Sequence, residues 1–380
     1  MATAELCPHI VFEKQQLESR AKPRFELGYK RSLDGVRAFA VLVVMARHGD
    51  LRFFGGGQVG VDVFFVLSGF LITTLLIEEW NRTSRISLRN FYIRRALRLL
   101  PALLGVLIFS EVFALLQLHG SYFLLVQKAI LGALFYCANW MRVFDIKSMG
   151  PIPHMWSLSL EEQFYFLWPP ILLWLLPRFR KTHILTLLLL IITVVAVHRS
   201  VLWTGEGSYE RIYNGTDSRI DELLCGCMAA LLMSVEWFRN RVFTKIRYAC
   251  LPSAILLVGF LPRPMSHRAM SMYGWVIVEF AVAILLCWIV SREAGLIPKA
   301  LSLQPVVWIG QISYGLYLWH VPIFSKIGGL NLPNAVKTIM MWTLSFAAAE
   351  FSHRFIEKPF LSLKSRMRPS TPLLISRPAL

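Results

Sequence analysis

Ile184-Leu185-Thr186-Leu187-Leu188-Leu189-Leu190-Ile191-Ile192-Thr193-Val194-Val195-Ala196-Val197-His198-Arg199-Ser200-Val201-Leu202 reads as a helix long enough to cross a lipid bilayer. At 1.5 Å per residue, about 20 apolar residues span a hydrocarbon core of roughly 30 Å. Trp275 to Val290 repeats the pattern, and similar stretches recur along the 380-residue chain. With 56% hydrophobic, 13% aromatic and only 17% charged residues, the chain is too apolar for a soluble domain of its length. The expected fold is an all-α membrane protein, a polytopic helical bundle.

Hydropathy marks candidate spans near 33–50, 60–80, 99–118, 122–138, 155–177, 183–203, 219–235, 246–262, 272–291, 305–326 and 334–356. If all of them cross, Arg178, Arg180 and Lys181 fall outside, as do Arg239, Arg241, Lys245 and Arg247. Cytoplasmic loops normally hold the excess of Lys and Arg, so one segment is expected not to cross. Segment 122–138 is that one: it is short, carries Gln127 and Lys128, and runs into the polar stretch Asn139 to His154. It is expected to be re-entrant or interfacial, leaving about ten transmembrane helices with both termini cytoplasmic. The chain then divides into a cytoplasmic N-terminal segment (1–32), a membrane domain (33–356) and a cytoplasmic tail (357–380). Residues 1–32 lack the apolar core and small-residue cleavage site of a signal peptide.

The formal net charge of +17 sits in short inter-helix segments, where it sets topology and attracts anionic lipid head groups or phosphorylated ligands; nucleic acid is not an expected partner. The six cysteines, Cys7, Cys137, Cys225, Cys227, Cys250 and Cys287, show no paired CxxC spacing and read as small packing residues, so no metal site is expected. Asn214-Gly215-Thr216 fits a glycosylation sequon and is assigned no role.

Ionisable groups inside membrane helices cost roughly 2.5–3.5 kcal/mol each, so they mark candidate sites. Arg37 and His48 lie eleven residues apart in the first span, on one helical face and roughly 16 Å from each other. They read either as a cation and a base sharing a site, or as a snorkelling Arg and an interfacial His. Asp62 opens the second span at the level of His48, as an orienting carboxylate or a helix cap. Glu161 and Glu162 stand near the end of another span, as site residues or as partners of cations such as Arg142. His320 closes the run Ile312-Ser313-Tyr314-Gly315-Leu316-Tyr317-Leu318-Trp319-His320. Arg95 and Arg98, one turn apart at the cytoplasmic side, are placed either to fork a phosphate or as ordinary positive-inside residues.

In this order the segments resemble the acyltransferase-3 family of bacterial integral-membrane O-acyltransferases. The resemblance rests on Leu33-Asp34-Gly35-Val36-Arg37 with the Arg-x10-His spacing to His48, and on Gly60-Val61-Asp62-Val63-Phe64-Phe65-Val66-Leu67-Ser68-Gly69-Phe70. It extends to Arg95-x-x-Arg98, Trp156-Ser157-Leu158 through Glu161-Glu162-Gln163-Phe164-Tyr165, and Ser313-Tyr314-Gly315 through His320. The resemblance implies an inner-membrane enzyme with acyl-CoA, commonly acetyl-CoA, as donor substrate and no permanently bound cofactor. The acceptor it implies is a hydroxyl on a surface or lipid-linked glycan, or on a natural product such as a macrolide. Family members that decorate glycans often carry a further span and a C-terminal esterase-like domain; with neither before Leu380, a stand-alone glycan acylase or a small-molecule acylase is expected.

The expected mechanism docks the CoA phosphates on Arg95 and Arg98, threads the pantetheine arm past Arg37, and gives His48 the role of base. Asp62 or Glu161 orients it, His320 completes the site, and an acyl-histidine relay is an alternative to direct transfer. The competing class is a transporter, since polar residues at mid-membrane also line substrate pathways.

Overall fold

The computed structural model describes residues 26–117, 120–145, 149–292 and 294–366. Cys7 and most of the two expected cytoplasmic end segments lie outside them.

Among the described residues all regular structure is helical. The helices that build the site and its frame are α1 (Arg31–His48), α2 (Val59–Thr83), α3 (Leu88–Gln117), α4 (Gly120–Leu134), α5 (Ala138–Phe144) and α6 (Met155–Leu175). They continue with α7 (Lys181–Leu202), α8 (Thr216–Met233), α9 (Cys250–Phe260), α10 (Trp275–Ser291), α11 (Gln304–Gln311), α12 (Ser313–Gly328) and α13 (Asn334–Phe351).

Among the described residues four helices are long and apolar enough to cross a membrane: Val59–Thr83, Leu88–Leu116, Lys181–Leu202 and His267–Ser291, the last containing α10. Their burial separates centre from rim. The apolar windows of α2 and of His267–Ser291 are 78% and 61% buried, against 33% for α3 and 28% for α7. The outward faces of the rim helices are apolar, with Ile108 and Leu116 on α3 and Val194 and Val201 on α7 exposed. That pattern suits lipid, where helices associate through close packing and polar contacts rather than through the hydrophobic effect.

Close packing is explicit where α2 meets α8. A Cβ on Gly69 would stand 1.9 Å from the Leu223 carbonyl oxygen, and one on Gly226 would stand 2.0 Å from the Val66 carbonyl oxygen. Each backbone therefore fits against the other only because both residues are glycine. α1 packs against α2, α11 and α12, while α6 contacts α2, α5 and α8, so the polar helices converge on the middle of the bundle.

Three of the stretches that hydropathy marks, among them the 122–138 segment expected not to cross, are short or broken. The 122–138 stretch is α4, whose 15 residues cover about 22 Å, followed by a reversal at Tyr136 (φ 51°) into α5. It falls short of the roughly 30 Å core. The 246–262 stretch follows a break at Arg247–Ala249: Phe238–Lys245 and Cys250–Phe260 meet at 63°. The 305–326 stretch is two helices, α11 and α12, separated at Ile312. Hydropathy registers composition and is blind to such breaks.

Candidate active site

The polar residues of α1 and α12 meet. His48, the last residue of α1, places its Nδ1 2.9 Å from Nε2 of His320 on α12. His320 is fully buried, and its own Nδ1 lies 2.8 Å from the Tyr317 carbonyl oxygen and 3.1 Å from that of Leu316. Carbonyl oxygens only accept, so His320 carries its proton on Nδ1 and its Nε2 is the acceptor when the ring is neutral. His48 then donates from Nδ1, which leaves the lone pair of a neutral His48 on Nε2. The network thus fixes the tautomer that a general base needs.

Beside the pair lies a cavity of about 220 Å³ lined by, among others, Arg47, His48, Arg142, His154, Trp156 and Tyr317. Pockets that enclose drug-sized ligands run to roughly 300–1,000 Å³, so this one suits the reacting end of a larger molecule. His48 is exposed at it, whereas its partner His320 is not. His154, at the N-cap of α6, is 3% exposed; its Nε2 lies 3.2 Å from the Leu318 carbonyl oxygen, and its buried Nδ1 has no hydrogen-bond partner among the described residues. Its ring centroid is 5.4 Å from that of His320. Tyr317 donates to the His154 carbonyl oxygen at 3.1 Å and stands 2.6 Å from Ser157 Oγ.

The carboxylates expected beside His48 are engaged elsewhere. Asp62, 1% exposed, accepts a hydrogen bond from Arg219 Nη2 at 2.6 Å, and Glu222 accepts from Arg219 Nε at 2.7 Å. Arg219 is itself fully buried beneath the rings of Trp275 and Tyr213, at 4.3 and 4.9 Å from their centroids. A buried guanidinium requires such partners, and Asp62 supplies one. Nδ1 of His48 is therefore held by His320, not by Asp62 as expected. Glu161 accepts from Ser68 Oγ at 3.0 Å and, with Glu162 and Tyr314, lines a second, smaller cavity of about 40 Å³. It too makes no hydrogen bond to His48 among the described residues.

The arginines separate. Arg37 bonds Asp34 at 2.9 Å, and Tyr29 donates to the other oxygen of that carboxylate at 2.7 Å. Arg95 forks Glu162 with Nε at 3.0 Å and Nη2 at 2.8 Å, and its guanidinium lies 3.1 Å from the centroid of Tyr165. Its fork is filled by Glu162, so Arg95 and Arg98, expected as a pair, differ in their surroundings. Arg98 is exposed and has no ion-pair partner among the described residues.

Each residue of Glu161-Glu162-Gln163 thus has its own partner. Gln163 donates to the Tyr136 carbonyl oxygen at 2.7 Å and to Asn139 Oδ1 at 2.9 Å, and accepts from Thr216 Oγ1 at 2.6 Å. It fastens the α4–α5 reversal to α6 and α8. Asn214 of the sequon is fully buried and donates to Glu210, which leaves it no room as a glycan acceptor.

His154, Arg142 and Arg219 are the site residues that sequence reasoning did not assign. His154 carried a signal, an ionisable residue beside Trp156-Ser157-Leu158 at the start of an apolar helix. Arg219 carried one as well, a cation among Asp217, Asp221 and Glu222 inside a candidate span.

The profile of a family described as an acyltransferase domain, the acyltransferase-3 family, matches residues 30–349. The chain belongs to this family. O-acetyltransferase OatA of Staphylococcus aureus (strain NCTC 8325 / PS 47) is 33% identical over 364 residues, covering 91% of this chain and 58% of the relative. Peptidoglycan O-acetyltransferase OatA of Listeria monocytogenes serovar 1/2a is 31% identical over 355 residues, covering 88% of this chain and 56% of the relative. The chain therefore spans a little over half the length of these acyltransferase relatives. No solved structure matches it. Arg37, His48, Asp62, Arg95, Arg98, Glu161 and His320 all fall inside the span matched to the acyltransferase family.

Proposed function

We propose that the protein is a membrane O-acetyltransferase that moves an acetyl group from acetyl-CoA to a hydroxyl of a cell-surface glycan. The observation that carries this reading is the His48–His320 pair at 2.9 Å beside an open cavity. Family membership and relatives named as O-acetyltransferases, the Listeria one for peptidoglycan, support it.

His48 Nε2 takes the proton of the acceptor hydroxyl as its oxygen attacks the thioester carbonyl. The tetrahedral intermediate expels the CoA sulfur, which leaves with the proton held by His48. His320 keeps the His48 ring in the reactive tautomer and spreads the positive charge that forms on it. The donor enters from the end of the bundle that holds Arg37 and Arg98, with Arg98, which has no ion-pair partner among the described residues, as the cation for a CoA phosphate. In this reading the chain crosses the inner membrane about ten times with both termini cytoplasmic, 33–356 forms the catalytic domain, and α4 with α5 dips into one leaflet.

Protein in vesicles with acetyl-labelled acetyl-CoA and glycan tests the proposal. Label becomes covalently attached to glycan, and His48→Ala lowers the rate by about 10²–10⁴-fold, the usual contribution of a positioned base. Unchanged transfer by His48→Ala, at equal membrane levels, refutes the assignment.

A further inference from the structure

The cavity beside His48 carries an uneven charge. Two of its lining residues, Arg47 and Arg142, are cations, and no carboxylate is among the residues that line it. Neither cation is fully matched from outside. Among the described residues Arg47 has only Asp50, 3.6 Å away and 93% exposed, a pair that solvent screens. Arg142 gives Nη1 to the Pro153 carbonyl oxygen at 3.2 Å and Nη2 to Glu210 at 3.1 Å. Its Nε is buried and has no hydrogen-bond partner among the described residues. A buried donor left unpaired is costly, so the Arg142 guanidinium keeps hydrogen-bonding capacity that the described residues do not use. The nearby acids cannot neutralise the cavity, because Asp62 and Glu222 are held by Arg219.

We infer that the acceptor hydroxyl belongs to an anionic sugar, whose carboxylate or phosphate is read by Arg47 and Arg142 while the hydroxyl faces Nε2 of His48. The inference rests on the acyl-transfer reading of the same site and narrows its substrate class. A neutral sugar leaves the positive charge of the two arginines only partly matched at the cavity, whereas an acid gains charge-assisted attraction from both.

Methyl β-D-glucuronide and methyl β-D-glucoside differ only at C6, carboxylate against hydroxymethyl, and form the test pair. Calorimetric titration of the full-length protein in nanodiscs reads binding without chemistry. Acetyl transfer from labelled acetyl-CoA reads catalysis on the same two sugars. The glucuronide is expected to bind about tenfold tighter or better, with a preference that shrinks as NaCl rises. In transfer the preference appears in KM. Arg142→Gln and Arg47→Gln each move the ratio of the two sugars towards one, Arg142→Lys restores part of it, and the KM for acetyl-CoA stays put. Arg47 is half exposed, so its variant reports even if Arg142→Gln folds poorly.

Equal affinity for the two sugars overturns the inference. So does a preference that survives both Gln variants. A rise in acetyl-CoA KM in those variants, with the sugar ratio unchanged, assigns the cations to donor phosphates and overturns it as well. A binding preference with no acetyl transfer to either sugar supports the inference while refuting the acyl-transfer reading.

Discussion

His48 and His320 stand 272 positions apart in the chain, yet their ring nitrogens are 2.9 Å from each other. Each is visible in the sequence as an ionisable residue in an apolar helix, but their pairing depends on how α1 and α12 pack. His320→Ala removes the acceptor that fixes the His48 ring; a drop of about 10²-fold in kcat with little change in acetyl-CoA KM is expected. His320→Gln, whose side-chain oxygen can accept from His48 Nδ1, recovers part of the rate. If Ala and Gln behave alike, positioning by that hydrogen bond is wrong. Asp62 shows how a sequence reading fails at this scale. Its carboxylate sits at the expected level of the chain, but its partner, 157 positions away, is a buried Arg219 that needs it more than His48 does. Asp62→Asn is accordingly expected to act on stability, by about 3–5 kcal/mol for breaking a buried ion pair. Thermal unfolding in detergent, set beside kcat per folded molecule, separates this from a catalytic loss.

Helix positions were legible because a 20-residue apolar run is a local property, and a helix lies over each stretch that hydropathy marks. What the sequence hid is how those helices end and bend. The reversal at Tyr136 and the separation of α11 from α12 arise from contacts between elements. The polar motif of α6 exists for those contacts, Glu162 engaging α3 through Arg95 and Gln163 engaging the α4–α5 reversal. The contact between α2 and α8 is one of the tight ones. Gly226→Ala forces a methyl group within 2.0 Å of a backbone oxygen, which a side-chain rotation cannot relieve. A loss of about 1–3 kcal/mol is expected from the helices being pushed apart. It is read as a lower midpoint in thermal unfolding, and the same change at Gly259, where an added Cβ meets nothing within 4 Å, serves as the control. Equal midpoints for the two variants count against close packing as the force that joins α2 to α8.

Across the whole molecule the +17 charge and the lipid-facing rim bear on which way the bundle sits. The proposed ten crossings put Arg178, Arg180 and Lys181 on the cytoplasmic side, in agreement with the positive-inside tendency. α7 then carries the chain outward, so the loop after Leu202 emerges on the far face. The two ends of this one helix therefore give opposite answers to an impermeant reagent. Arg180 and Gly207 are both exposed, and Gly207 has no atom within 4 Å of an added Cβ, so cysteine fits at either place. In a background with the native cysteines replaced by serine, Gly207→Cys is expected to react with an impermeant maleimide in intact spheroplasts. Arg180→Cys is expected to react only after the membrane is opened. Because α7 is long and apolar enough to cross by itself, labelling of both positions from one side removes the crossing of α7 and the ten-span topology with it. Opposite labelling in the reversed sense keeps the crossing but turns the bundle over, which places the opening beside His48 towards the cytoplasm and brings donor and acceptor to the reverse faces.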